Sequence, residues 1–205
     1  MTGFEPFGDD DANPSADAVR ELKSRWRGAD ELVTEVLPVA FDRSATRIRE
    51  LVAQHQPTIV LVTGLGGGRA AVGVERVAIN LRDARIPDND GDQPVDVAAI
   101  PGGPPAYFAT VPVKAIAAAI NDAGIEAEIS YTAGTFVCNH VMFEALDAAA
   151  DGTRAGFLHV PWATGQGPVG STTMPLQDMV RALEIAIEVS LARSDDLATP
   201  GGTLD

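Results

Sequence analysis

One thiol, three imidazoles and a carboxylate set in an apolar run are the side chains best equipped for covalent chemistry in this chain. Cys138 is the only cysteine and sits in Gly134-Thr135-Phe136-Val137-Cys138-Asn139-His140, where a strand pattern gives way to a helical one. A thiol at a helix start meets free backbone N–H groups and the positive end of the macrodipole, and both favour the thiolate. Such a nucleophile needs a base within reach and a third group to orient that base. His55 lies between Gln54 and Gln56 near the end of a helical stretch and reads as a solvated surface residue. His140 follows Cys138 by two positions, and i and i+2 do not face each other on a helix. His159 ends an apolar strand just before Pro161, the end of a strand where α/β sheets present reactive groups. It is the best-placed base. Glu75 opens the largely apolar Glu75-Arg76-Val77-Ala78-Ile79-Asn80, where a carboxylate is costly without a partner, so it is a candidate orienting group. Each residue also has a plainer reading. Cys138 shares a helical stripe with Val141, Met142 and Ala145 as a core thiol would, His159 fits a satisfied core histidine, and Glu75 fits a structural ion pair.

The elements that must position these groups alternate between strand and helix, the pattern of a layered α/β sheet. Thr58 to Thr63 and Gly156 to Pro161 are short apolar runs stopped by glycine or proline, as expected of strands buried on both faces. Leu32 to Leu37, Val74 to Leu81 and Ile125 to Tyr131 are further strand candidates. Asn13-Pro14 is a helix start, asparagine as N-cap and proline at the first turn, with Val19, Leu22 and Trp26 following at helical spacing. Further helices are expected at Ala45 to Val52, Pro105 to Asn121, Cys138 to Asp151 and from Pro175 through Ile187. The economical architecture is a three-layer α/β/α sandwich around a central sheet. Ahead of the first helix stands only Met1-Thr2-Gly3-Phe4, so the first strand is expected to be very short.

Composition narrows the partners. Two hundred and five residues suit one domain, expected over 1–193, with the polar, glycine-rich stretch 194–205 read as a flexible tail. A net charge of −14 argues against nucleic acid, which needs clustered lysine and arginine. No apolar run reaches membrane-spanning length and no basic-then-apolar leader opens the sequence, so the expectation is a cytoplasmic protein with a free thiol. Neither a metal nor a cofactor is suggested. Gly64 to Arg69 lacks both the Gly-Lys-Ser/Thr ending of a phosphate loop and the spacing of a dinucleotide fingerprint.

Five blocks bind these residues together. Thr2-Gly-Phe-Glu-Pro-Phe-Gly8 with Asn13-Pro-Ser15, then Gly67-Gly-Arg69, Glu75 to Asn80 with Ala84 to Asp88, Ser130 to His140, and Gly156 to Pro161 resemble the pyrrolidone carboxyl peptidases, in order and from residue 2 to about 190. The resemblance implies an α/β/α sandwich with a mixed, mostly parallel sheet. It also implies a cysteine exopeptidase that removes N-terminal pyroglutamate (5-oxoproline) from peptides through a thioester, without a cofactor, and commonly as a homotetramer. By the same resemblance Cys138 is the nucleophile, His159 the base and Glu75 its orienting group. Arg85 matches an arginine near the reacting carbonyl. Phe4, Phe7, Ile86, Phe136 and Val137 match the pocket lining, and Asn13 an asparagine that bonds the lactam. A family member normally carries several apolar residues before Thr-Gly-Phe, has glutamine where Leu65 stands and threonine where Val39 stands. The competing reading is a non-catalytic relative that binds peptide N termini or serves structurally.

Overall fold

Buried strands rich in Val, Leu and Ile and bounded by Gly or Pro pair into the middle of a sheet, because both of their faces must be covered by helices. The computed structural model, which describes residues 1–202, is built on this principle. In chain order it runs β1 (Thr2–Phe4), α1 (Pro14–Arg25), β2 (Glu35–Leu37), α2 (Phe41–His55), β3 (Ile59–Leu65), β4 (Val72–Glu75), β5 (Val77–Ile79) and β6 (Ala106–Phe108). It continues with α3 (Val113–Asp122), β7 (Ala127–Ser130), α4 (Val137–Ala148), β8 (Arg154–Val160), β9 (Trp162–Ala163), β10 (Thr173–Met174) and α5 (Leu176–Ala192).

Six strands form the main sheet in the order β2-β1-β3-β8-β4-β7. All neighbours are parallel except β8 and β4, so one antiparallel seam makes the sheet mixed. Side chains of α1, α3 and α5 pack on one face with Leu61, Val74 and Leu158. Those of α2 and α4 pack on the other with Val60, Val62 and Phe157. This is the expected three-layer sandwich. The short β1 is central to it, pairing with β2 through Thr2, Gly3 and Phe4 and with β3 through Thr2. Gly3 permits the close approach of α1, since a Cβ there would lie 2.5 Å from the Ser15 carbonyl oxygen.

Two expectations need correction. The strand foreseen over Val74 to Leu81 breaks at Arg76, whose N–H bonds the Ser130 carbonyl at 2.7 Å; beyond it β5 leaves the main sheet and pairs with β6 instead. Residues 106–108 are therefore strand, not the start of a helix from Pro105, and α3 begins only at Val113. The cause is Pro112, which bars the residue before it from helical geometry. The stretch 194–202, read from sequence as a tail, makes hydrogen bonds to the domain. Asp196 Oδ1 accepts from the Lys114 and Ala115 N–H groups at 2.9 and 3.0 Å, capping α3 from a distance, and Tyr131 Oη donates to the Gly201 carbonyl at 2.6 Å. Residues 203–205 of that expected tail lie outside the described residues.

Candidate active site

Strand register alone brings the chemical groups to one face. Residues opposed across a sheet point the same way, and side chains alternate along each strand. His159 on β8 opposes Gly64 on β3 and Gly73 on β4, while Glu75, two residues beyond Gly73, opposes Ser130 on β7. All five therefore face α2 and α4. His159 and Glu75 meet diagonally across the antiparallel seam, Nδ1 to Oε1 at 2.7 Å, with the carboxylate wholly buried and the imidazole nearly so. A carboxylate only accepts, so Nδ1 carries the proton and Nε2 is left as the basic nitrogen.

Cys138 reaches this row from the first turn of α4. Gly64 makes the room, because a Cβ there would stand 2.8 Å from Cys138 Sγ and 2.9 Å from the Phe157 ring. The sulfur thus lies on the strand position that pairs with His159. The helix start is fixed by Asn139, whose Oδ1 accepts from the Ile79 N–H and whose Nδ2 donates to the Ile79 and Leu81 carbonyls. Thr135 ties the preceding turn to Asp83, hydroxyl to carbonyl, at 2.7 Å.

Cys138 and His159 open into a cavity of about 180 Å³. Its walls are aromatic and aliphatic: Phe4 from the end of β1 and Phe7 from the loop after it, Phe136 and Val137 from the start of α4, Val39 from the loop after β2 and Leu65 from the end of β3. Phe136 stands edge-on to Phe41 at 5.3 Å and tilted to Phe7 at 6.0 Å, which fixes its ring. Asn13 also lines the cavity, yet its side chain is already engaged. Oδ1 caps α1 by accepting from Ser15 N–H and Oγ, and Nδ2 donates to the Glu5 carbonyl, leaving one amide N–H uncommitted by these bonds.

Two of the residues singled out from sequence stand elsewhere. Ile86 is 40% exposed and Arg85 is exposed too; neither lines the cavity. Gln93 Nε2 holds this stretch outward by donating to the Ala84 and Arg85 carbonyls, and Asp88 pins it to the start of α2 by accepting from the Phe41 N–H. The thiol also departs from expectation. Burial, reinforced by the Glu75 charge and opposed by Arg69, pushes Cys138 up to about 12. Desolvation thus works against the thiolate that the helix start favours. Sequence reasoning missed Arg69 and Asn89. Arg69 donates to Glu75 Oε1 at 2.8 Å, and Asn89 holds the Pro6 carbonyl and the Glu5 carboxylate, both at 2.9 Å, so that Phe7 covers the cavity. The signs of Arg69 were its place after three glycines and within the Gly67-Gly-Arg69 block.

Among the described residues no group of three or more His, Cys, Asp or Glu side chains is arranged to hold a metal, and no helix is long and apolar enough to cross a membrane.

A lone thiol sharing a cavity with an imidazole already committed to a carboxylate is the equipment of a cysteine peptidase. The pyroglutamyl peptidase family model matches residues 1–193. The pyrrolidone-carboxylate peptidase of an Enterobacter species is 44% identical, covering 98% of this chain and 96% of that protein. Its counterpart in Clavibacter michiganensis is 43% identical over 100% and 98%. Pyroglutamyl peptidase I of Bacillus amyloliquefaciens superposes with a TM-score of 0.93 at 41% identity, covering 97% of each chain. The chain belongs to the pyroglutamyl peptidase family.

Proposed function

We propose that this cysteine peptidase removes an N-terminal pyroglutamyl residue from peptides, with Cys138 as nucleophile, His159 as base and then acid, and Glu75 as the group that orients His159. The observation that carries the assignment is the 2.7 Å Nδ1–Oε1 bond of His159 to a wholly buried Glu75, beside the cavity in which the only cysteine stands. His159 Nε2 takes the proton as sulfur adds to the pyroglutamyl carbonyl, then gives it to the leaving amine as the thioester forms. Water, deprotonated by the same nitrogen, hydrolyses the thioester and returns the thiol. The free N–H groups at the start of α4, that of Cys138 among them, suit the oxyanion.

The walls suit the substrate. Pyroglutamate is a flat neutral lactam with no amine to grip, and a small aromatic cavity with a spare Asn13 N–H matches that chemistry. We also propose that the chain works in the cytoplasm and assembles as a homotetramer, as the family resemblance implies; light scattering on the eluted protein tests the assembly. The deciding assay is release of a fluorescent amine from a pyroglutamyl amide, with a prolyl amide and Cys138→Ala as controls. Turnover that disappears in the variant and ignores the prolyl amide is expected. Turnover that survives Cys138→Ala would overturn the assignment.

A further inference from the structure

We infer that Arg69 is a positioning residue for this reaction, its guanidinium bridging Glu75 to β7 and the turn after it so that the carboxylate keeps one orientation toward His159. The inference rests on the roles given above to Glu75, His159 and Cys138.

Glu75 is 0% exposed, and a carboxylate so placed needs a compensating charge. His159 alone does not supply one unless it is protonated, and a base must be able to stand unprotonated. Arg69 supplies it. Its Nη2 donates to the same oxygen, Oε1, that receives the imidazole, at 2.8 Å against 2.7 Å. That nitrogen also reaches Ser130 Oγ at 3.0 Å and the Thr132 carbonyl at 3.2 Å, while Nη1 reaches Glu128 Oε1 at 3.3 Å. One planar fork therefore spans β4, β7 and the turn that leads to α4.

The backbone is cut to fit this fork. A Cβ on Gly73, the residue opposing His159, would overlap the guanidinium, and one on Gly66 would come within 2.7 Å of the Arg69 stem. Two glycines thus clear a channel for one arginine. Its side chain is only 21% exposed, unlike a surface arginine. The same positive charge opposes the upward pressure of burial and of Glu75 on the Cys138 thiol. The hydrogen bonds of Arg69 run to Glu75, Ser130, Thr132 and Glu128, so its path to the reaction is through Glu75.

The test is the pH profile of pyroglutamyl amide hydrolysis in Arg69→Met, Arg69→Lys and Ser130→Ala. Without a guanidinium, Glu75 either takes up a proton or draws one onto His159, and either event removes the base at low pH. The acid limb of kcat/KM in Arg69→Met is thus expected to move to higher pH, and kcat to fall about tenfold or more, within what general-base catalysis contributes. Arg69→Lys keeps charge without the fork, so the limb should return toward its original place while kcat stays low. Ser130→Ala removes one anchor and should shift kcat in the same direction, by less. Should Arg69→Met not fold, the lysine and Ser130 variants decide. A folded Arg69→Met with unchanged limb and kcat, or an Arg69→Lys protein identical to the parent, would overturn the inference. Cys138→Ala run alongside separates the failures: turnover there would remove the catalytic assignment itself.

Discussion

At the scale of single residues, the site depends as much on missing side chains as on those present. Gly64 and Gly73 both oppose His159, one from each neighbouring strand, and each leaves a space that another residue fills: the Cys138 sulfur over the first, the Arg69 guanidinium over the second. Gly64 carries no positive φ, so its requirement is for room and not for backbone freedom. Gly64→Ala should push the sulfur away from the imidazole or displace Phe157. A shift of about 1 Å at a reacting atom costs on the order of a hundredfold in turnover. Overpacking costs about 1–3 kcal/mol in stability. Kinetics and a thermal melt of the same sample check both, and a fully active Gly64→Ala enzyme would show that the sulfur does not need that space. That Cys138, His159 and Glu75 belong together was legible from sequence, chiefly because five blocks align with one family, and the fold brings the three side chains to one place. The state of the thiol was not, since desolvation comes from elements distant in sequence. Arg69 was missed because its partners lie up to 63 residues away and meet only through strand register.

Among the elements, α4 carries a second buried histidine that the reaction leaves unused. His140 is 2% exposed, its Nδ1 has no hydrogen-bond partner, and its Nε2 lies 3.9 Å from Glu144 Oε1. Burial, with the Arg82 guanidinium nearby, lowers it from 6.5 to about 4, against a smaller opposing pull from Asp42. The folded state therefore holds this imidazole neutral while the unfolded chain protonates below about 6.5. Stability from this group is complete above 6.5 and drains as the pH falls toward 4, by about 3 kcal/mol. Denaturant melts of the parent and His140→Leu should diverge over that window, the parent losing more; parallel curves would show that the histidine is hydrated in the fold. Legibility varied among elements for physical reasons. α1 and β8 announce themselves through Asn13-Pro14 and through an apolar run stopped by Pro161, signals carried within a few residues. The break at Arg76 and the cap that Asp196 places on α3 depend on pairing across the fold, so local pattern did not disclose them.

For the molecule as a whole, the sheet order decides when the site can exist. Strand β8 is made after β3, β4 and β7, yet it lies between β3 and β4. Glu75 and His159 are 84 residues apart and meet only when that insertion is complete. Turnover on refolding should accordingly return together with burial of Trp162, which opens β9 two residues past the end of β8 and is 5% exposed, followed by fluorescence in a Trp26→Phe background. Activity that recovers before Trp162 is buried would refute this order. The consequence extends to synthesis on the ribosome. Until β8 emerges, β3 and β4 each present an open edge in the middle of what will be the sheet, a template for pairing with other chains. The interval between translation of Glu75 and of His159 is thus the chain's window of vulnerability to aggregation, and closing it and arming the enzyme are the same event.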